Sequence, residues 1–185
     1  PRSGSTLLAG LLRQNPRFHA GMSSPVSAMY MALEKSMSRR NESAVFIDPV
    51  QRRDVLTGLF SNYYREIQTT KVVFDTNRLW CAKLPALTQL FPQARVICCV
   101  RDVNWIMDSI ERLVRRNAFE PSGMFGYEAG GTVFSRIMAV ASSEGLVGYA
   151  LDALKDGFFG EQASSMILVE YDALVSDPRR TLEAI

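Results

Sequence analysis

The sequence predicts an α/β domain in which a parallel sheet is flanked by helices on both faces. Three observations predict it. Lys71-Val72-Val73-Phe74-Asp75, Ala94-Arg95-Val96-Ile97-Cys98-Cys99-Val100 and Met166-Ile167-Leu168-Val169 are short apolar runs, continuous rather than alternating, as in strands covered on both sides. A helical pattern separates the first two runs, and strand, helix, strand in that order makes a right-handed parallel crossover. At the start of the chain, Pro1-Arg2-Ser3-Gly4-Ser5-Thr6-Leu7-Leu8 is a turn of Gly and small hydroxyl residues that opens directly into a helix. With 185 residues, 47% of them hydrophobic, the chain can bury one substantial core, so residues 1–185 are expected to form a single domain.

The elements follow in order. Leu7, Leu8, Leu11 and Leu12 give the first helix a buried stripe, and Asn15-Pro16 ends it. A second helix follows Ser24-Pro25, with Val26, Met29, Leu33 and Met37 at helical spacing. The third spans roughly Val50 to Ile67, where Val55, Leu59, Phe60, Tyr63 and Ile67 share a face. A strand over 71–75, a helix from about Leu79 to Leu90 and a strand over 94–100 come next. The helix after Arg101-Asp102 has Val103, Ile106, Met107, Ile110, Leu113 and Val114 as its apolar stripe. Trp105, Ser109, Arg112 and Arg116 share a second face. Glu120 to Gly131, with Pro121 and four glycines, reads as a mobile loop or lid. The last strand, 166–169, precedes a short helix beginning near Pro178.

Charge and cysteine usage narrow the function classes. A net charge of +2 is too small for a general nucleic-acid binder. Basic residues gather locally instead, as Arg2, Arg13 and Arg17, as Arg39 and Arg40, and as Arg112, Arg115 and Arg116. Such clusters suit a compact polyanion or a solvated helix face. Three cysteines, Cys81, Cys98 and Cys99, form no disulfide framework, which points to a reducing compartment, the cytoplasm. No apolar run approaches the roughly 18 residues that span a bilayer.

The opening turn is an anion cradle. Backbone N–H groups at a helix start lack intrahelical partners and lie at the positive end of the macrodipole, so phosphate or sulfate binds there. Gly4 lets a ligand approach the main chain, Ser3, Ser5 and Thr6 offer hydroxyls, and Arg2 can grip an oxyanion with two N–H groups. The turn resembles a P-loop with one departure: Ser5 stands where a Walker A sequence has its phosphate-binding Lys. A loop of this kind normally follows a buried strand and none precedes Pro1, so the chain is expected to be truncated at that end. In α/β sheets ligands collect outside the carboxyl ends of strands, which singles out Arg101-Asp102 and Asp75-Thr76-Asn77-Arg78.

These features together resemble the sulfotransferases that use 3′-phosphoadenosine 5′-phosphosulfate as donor. Pro1 to Leu8 resembles the family's 5′-phosphosulfate loop, and Arg101 followed eight residues later by Ser109 resembles its paired 3′-phosphate ligands. Val169-Glu170-Tyr171-Asp172-Ala173-Leu174-Val175-Ser176-Asp177-Pro178 resembles a third segment, in which the residue matching Tyr171 lies near the nucleotide. Leu90-Phe91-Pro92-Gln93-Ala94 also fits. The pattern is nearest to the tyrosylprotein branch and its bacterial relatives. The resemblance implies metal-free transfer of a sulfuryl group to an acceptor hydroxyl of a protein tyrosine, a carbohydrate or a small phenol or alcohol. Adenosine 3′,5′-bisphosphate is then the product, with Arg2, Ser3, Gly4, Ser5, Thr6, Arg101, Ser109, Arg112 and Tyr171 as donor ligands. Many relatives carry a further segment over the nucleotide beyond the position of Ile185, so truncation is expected at this end too.

The general base departs from that pattern. Where the tyrosylprotein branch has a Glu, this chain has Met22 and Ser23, neither of which is a base. Asp75 can take the acceptor proton while Arg78 holds sulfuryl oxygens, or the two can pair only to fix their loop. His19, the only histidine, suits a structural role or a base. Tyr30, Phe46, Tyr63, Tyr64, Phe125 and Tyr127 either line an aromatic acceptor pocket or fill the core. Two other readings compete. Asp75 at the end of Val72-Val73-Phe74, with Thr6, can hold Mg²⁺ in a small-molecule or nucleotide kinase using Mg-ATP, although Ser5 in place of Lys argues against it. The missing Glu also suits a nucleotide-binding module without catalysis.

Overall fold

The computed structural model describes residues 1–116 and 131–185. The expected lid, Glu120 to Gly131, and with it Phe125 and Tyr127, lies outside the described residues except for Gly131. The described chain forms two compact units, Thr6–Trp80 with Pro85–Ala94, and Pro1–Ser5 with Cys81–Leu84 and Arg95–Ile185.

Helix α1 (Ser5–Leu12) leads into the first unit and buries Leu8, Ala9 and Leu12. Strand β1 (Phe18–Ala20) pairs in parallel with β2 (Val72–Phe74), His19 opposite Val73. Sequence pattern alone misses β1, because Phe-His-Ala has neither alternation nor a β-branched residue and is extended by its pairing. Between them lie α2 (Val26–Ser36), a 3-10 turn at Glu42–Phe46 and α3 (Pro49–Tyr63). Asp48 caps α3, accepting from the N–H groups of Val50 and Gln51, while the Gln51 side chain accepts from the Asp48 N–H; Pro49 takes the first helical position.

Leu56 of α3 and Tyr64, which follows its last turn, are the buried residues here, and Phe60 of the expected face packs among aromatic rings, whereas the expected Val55 and Tyr63 are exposed and Leu59 is half-buried. These last three lie on the flank, where with Met29 and Leu33 of α2 they line a groove of about 710 Å³. Phe60 belongs to a cluster with Tyr30, Trp80 and Phe91, its ring centroid 5.1–6.4 Å from theirs, and Tyr30 is only 1% exposed. The helix expected over 79–90 is two, α4 (Leu79–Ala82) and α5 (Leu84–Leu90). Pro85 has no N–H to return to the carbonyl of Cys81, so one continuous helix loses a bond at the break.

In the second unit, β3 (Val96–Val100) pairs in parallel with β4 (Met166–Glu170) over five residues, from Val96 opposite Met166 to Val100 opposite Glu170. The strands are thus parallel, but β2 pairs with β1 and β3 with β4. Their faces are not all covered, since Val72 is 54% and Leu168 44% exposed. Apolar runs report β-propensity as well as burial, and here the former outweighs the latter.

Helix α6 (Val103–Arg116) follows β3 and packs Ile106 and Ile110 against Val140 and Val147, from α7 (Val133–Ala141) and the turn before α8 (Gly148–Phe159). Glu111 clamps α6 to α7, accepting from Arg136 at 2.6 Å and from Arg115 at 3.0 Å. A 3-10 turn at Ala163–Ser165 leads to β4, and α9 (Tyr171–Ser176) and α10 (Pro178–Glu183) end the chain, with Leu174 fully buried. The helix expected near Pro178 is α10, with Asp177 as its cap. Among the described residues, no helix is long and apolar enough to cross a membrane.

Candidate functional site

Parallel register builds the first cluster, which lies within the second unit. Val100 stands opposite Glu170, so the next residues of the two strands, Arg101 and Tyr171, emerge side by side at their carboxyl ends. The Arg101 guanidinium lies over the Tyr171 ring, 4.0 Å from its centroid. The other face of this assembly is the opening loop. Gly4 has φ of +101°, a left-handed conformation, and a Cβ placed there would sit 2.7 Å from Cδ2 of Tyr171. Only glycine meets both conditions, the backbone angle and the ring against it.

Arg2 is also left-handed, at φ of +56°, a conformation rare for a residue with a long side chain. Its Nε donates to Ser109 Oγ at 2.9 Å, and its carbonyl accepts from Arg101 Nη1 at 3.5 Å. Arg101 Nε is buried with no hydrogen-bond partner, a donor left over for an incoming acceptor. Ser3 is buried at 9% exposure, and Ser5 begins α1. Residues separated by 107 positions, Arg2 and Ser109, are therefore in direct contact.

Two predicted donor ligands lie outside this cluster's contacts. Arg112 pairs with Asp108 one turn back on α6 at 2.8 Å, with both side chains well exposed, so its face of the helix does not present two unpaired guanidinium groups. Arg115 is likewise engaged, by Glu111. Thr6 belongs to the other unit and is exposed in the first turn of α1.

A second cluster lies at the carboxyl end of β2, within the first unit. Asp75 accepts three hydrogen bonds: at Oδ2 from Ser24 Oγ (2.6 Å) and the Tyr64 hydroxyl (2.5 Å), and at Oδ1 from Trp80 Nε1 (2.8 Å). Burial, and then the Asp75 carboxylate that it donates to, push the Tyr64 phenol well above its ordinary range. Asn77 continues the lattice, donating to Ser27 Oγ at 2.6 Å and accepting from the Leu79 N–H at 2.9 Å. The alternative in which Asp75 pairs with Arg78 is replaced by these bonds, and Arg78 is exposed. Ser24 and Trp80 were not legible as partners of Asp75, because nothing local in sequence ties positions 51 and 5 residues away to one carboxylate. His19 lies part-buried on β1, its ring 6.0 Å from that of Tyr64.

The donor set around Asp75 bears on the magnesium reading. A carboxylate for a hard cation presents its oxygens to the metal and its waters. Here three protein donors converge on them instead. The family model described as "Sulfotransferase family" matches residues 1–185. No curated protein matches the chain.

Proposed function

Since the chain belongs to the sulfotransferase family, we propose that it moves a sulfuryl group from 3′-phosphoadenosine 5′-phosphosulfate to an acceptor hydroxyl of a protein tyrosine, a carbohydrate or a small phenol or alcohol. The observation that carries the donor assignment is the convergence of Arg2, Gly4, Arg101, Ser109 and Tyr171. The residues fit a donor of this kind. An unpartnered buried Nε on Arg101, a hydroxyl on Ser109 and a glycine cradle are what a ligand with phosphates at both ends of its ribose needs.

Bound there, the donor supplies the activated sulfuryl group; everything else is done by the chain. The loop Arg2 to Ser5 holds the 5′ end through main-chain N–H groups and the hydroxyls of Ser3 and Ser5. Arg2 leaves Ser109 to meet the negative charge that grows on the leaving phosphate, which is positioning and electrostatic stabilisation rather than covalent chemistry. Arg101 and Ser109 take the 3′-phosphate. Tyr171, wedged between Gly4 and Arg101, keeps the guanidinium oriented. Arg112 joins by exchanging Asp108 for the ligand; an exposed pair of this type is worth only about 0.2–1 kcal/mol. Asp75, at the carboxyl end of β2, is the group proposed to take the acceptor's hydroxyl proton, a weak base sufficing for a phenol.

Calorimetric titration with adenosine 3′,5′-bisphosphate in EDTA, compared with ATP plus Mg²⁺, tests the reading. Metal-independent binding that requires the 3′-phosphate supports it. Preference for Mg-ATP replaces it with a kinase, and donor binding with no turnover of any hydroxyl acceptor leaves a nucleotide-binding module.

A further inference from the structure

Adjacent cysteines on β3 have different surroundings. Side chains alternate across a strand, so Cys98 and Cys99 occupy opposite faces. Cys98 is buried at 5% exposure, and its Sγ lies 3.3 Å from Sγ of Cys81 in α4, which is partly exposed; all three cysteines are free thiols. Cys81 and Cys98 belong to the same compact unit. A disulfide bond is about 2.05 Å long, so the two sulfurs need to close by only about 1.3 Å to be joined.

We propose that Cys81 and Cys98 form a thiol–disulfide pair, a modification site whose oxidant is a low-molecular-weight disulfide. The accessible Cys81 thiolate attacks one sulfur of the reagent, R–S–S–R. That bond breaks, RS⁻ leaves and is protonated, and a mixed disulfide Cys81–S–S–R forms. Cys98 then gives up its proton and attacks the Cys81 sulfur, expelling the second RS⁻, which is protonated in turn. Two electrons pass from the cysteines to the reagent, which ends as two thiols, while the chain gains one S–S bond.

The order of attack follows from the local chemistry. The hydrogen bond between the two sulfurs favours the Cys81 thiolate, and the same contact with burial raises the Cys98 thiol. Burial pushes Cys99 up to about 11, so it does not compete with Cys81 for the first attack on the reagent, and Cys98 makes the second attack because its sulfur already lies 3.3 Å from that of Cys81. The bond would tether β3, three residues before Arg101, to the segment Cys81–Leu84.

The folded chain is incubated with oxidised glutathione near neutral pH, remaining thiols are alkylated, and the digest is read by mass spectrometry. The expected product is a Cys81–Cys98 linked peptide with Cys99 alkylated, reversed by dithiothreitol. In Cys98→Ser the mixed disulfide accumulates on Cys81, and Cys99→Ser still cross-links. Iodoacetamide is expected to label Cys81 at least about tenfold faster than Cys99. The proposal is overturned by linkage through Cys99, by equal labelling of Cys81 and Cys99, or by a cross-link that forms only after unfolding in urea. Circular dichroism of the variants separates loss of the fold from loss of the reaction.

Discussion

Arg101 stacks on Tyr171, donates to the carbonyl of Arg2 and keeps one buried N–H unmatched, so its truncation removes a charged donor and loosens the loop it supports. Arg101→Ala is expected to weaken adenosine 3′,5′-bisphosphate binding by about 10- to 100-fold, the range of a charge-assisted hydrogen bond. Binding of 5′-AMP, which has no 3′-phosphate, is expected to weaken far less, through the loosened loop alone; equal losses in calorimetry would remove Arg101 from the 3′-phosphate. Asp75 poses a different question, because a carboxylate holding Ser24, Tyr64 and Trp80 is an anchor whatever else it does. Asp75→Asn sets an amide N–H₂ against donors and is expected to destabilise the chain by about 1–3 kcal/mol. If Asp75 is also the base, kcat falls by about 100-fold or more with donor affinity retained. A variant that melts lower yet turns over at the parent rate would leave Asp75 as an anchor alone.

Among the elements, α6 and α7 are joined by a carboxylate whose protonation is readable. Arg136 and then Arg115 hold Glu111 at about 2, below its ordinary 4.5, although its own burial opposes this. A carboxyl held lower in the folded state stabilises the fold above its unfolded value and loses that contribution as pH falls toward the folded one. Glu111→Gln is therefore expected to lower Tm near neutral pH, with the gap from the parent closing between about 4.5 and about 2. Melting curves across that range check it, and a gap independent of pH would assign the effect to packing. Legibility differed by element for physical reasons. The α6 stripe was readable because Ile106 and Ile110, at i and i+4, face one core. In α3 the apolar residues wrap more than one face, so composition could not choose between the Leu56 side and the Val55 side.

For the molecule as a whole, a ligand that binds only the folded chain raises its stability. At about 100 times its Kd, adenosine 3′,5′-bisphosphate is expected to add about 2.7 kcal/mol and to raise Tm by about 5–10 °C, equally with and without EDTA. A larger shift with Mg-ATP in thermal denaturation would favour the kinase. The sequence by itself determined the α/β class and the family, because a Gly-Ser-Thr turn, an Arg with a Ser eight residues on and short apolar runs are local patterns. Tertiary structure alone decided which of those residues meet. Strand register sets Arg101 beside Tyr171, chain closure over 107 positions brings Arg2 to Ser109, and packing surrounds Asp75 with three donors while Arg112 turns to Asp108. Contacts between residues distant in sequence depend on how whole elements pack, and no local pattern encodes that packing.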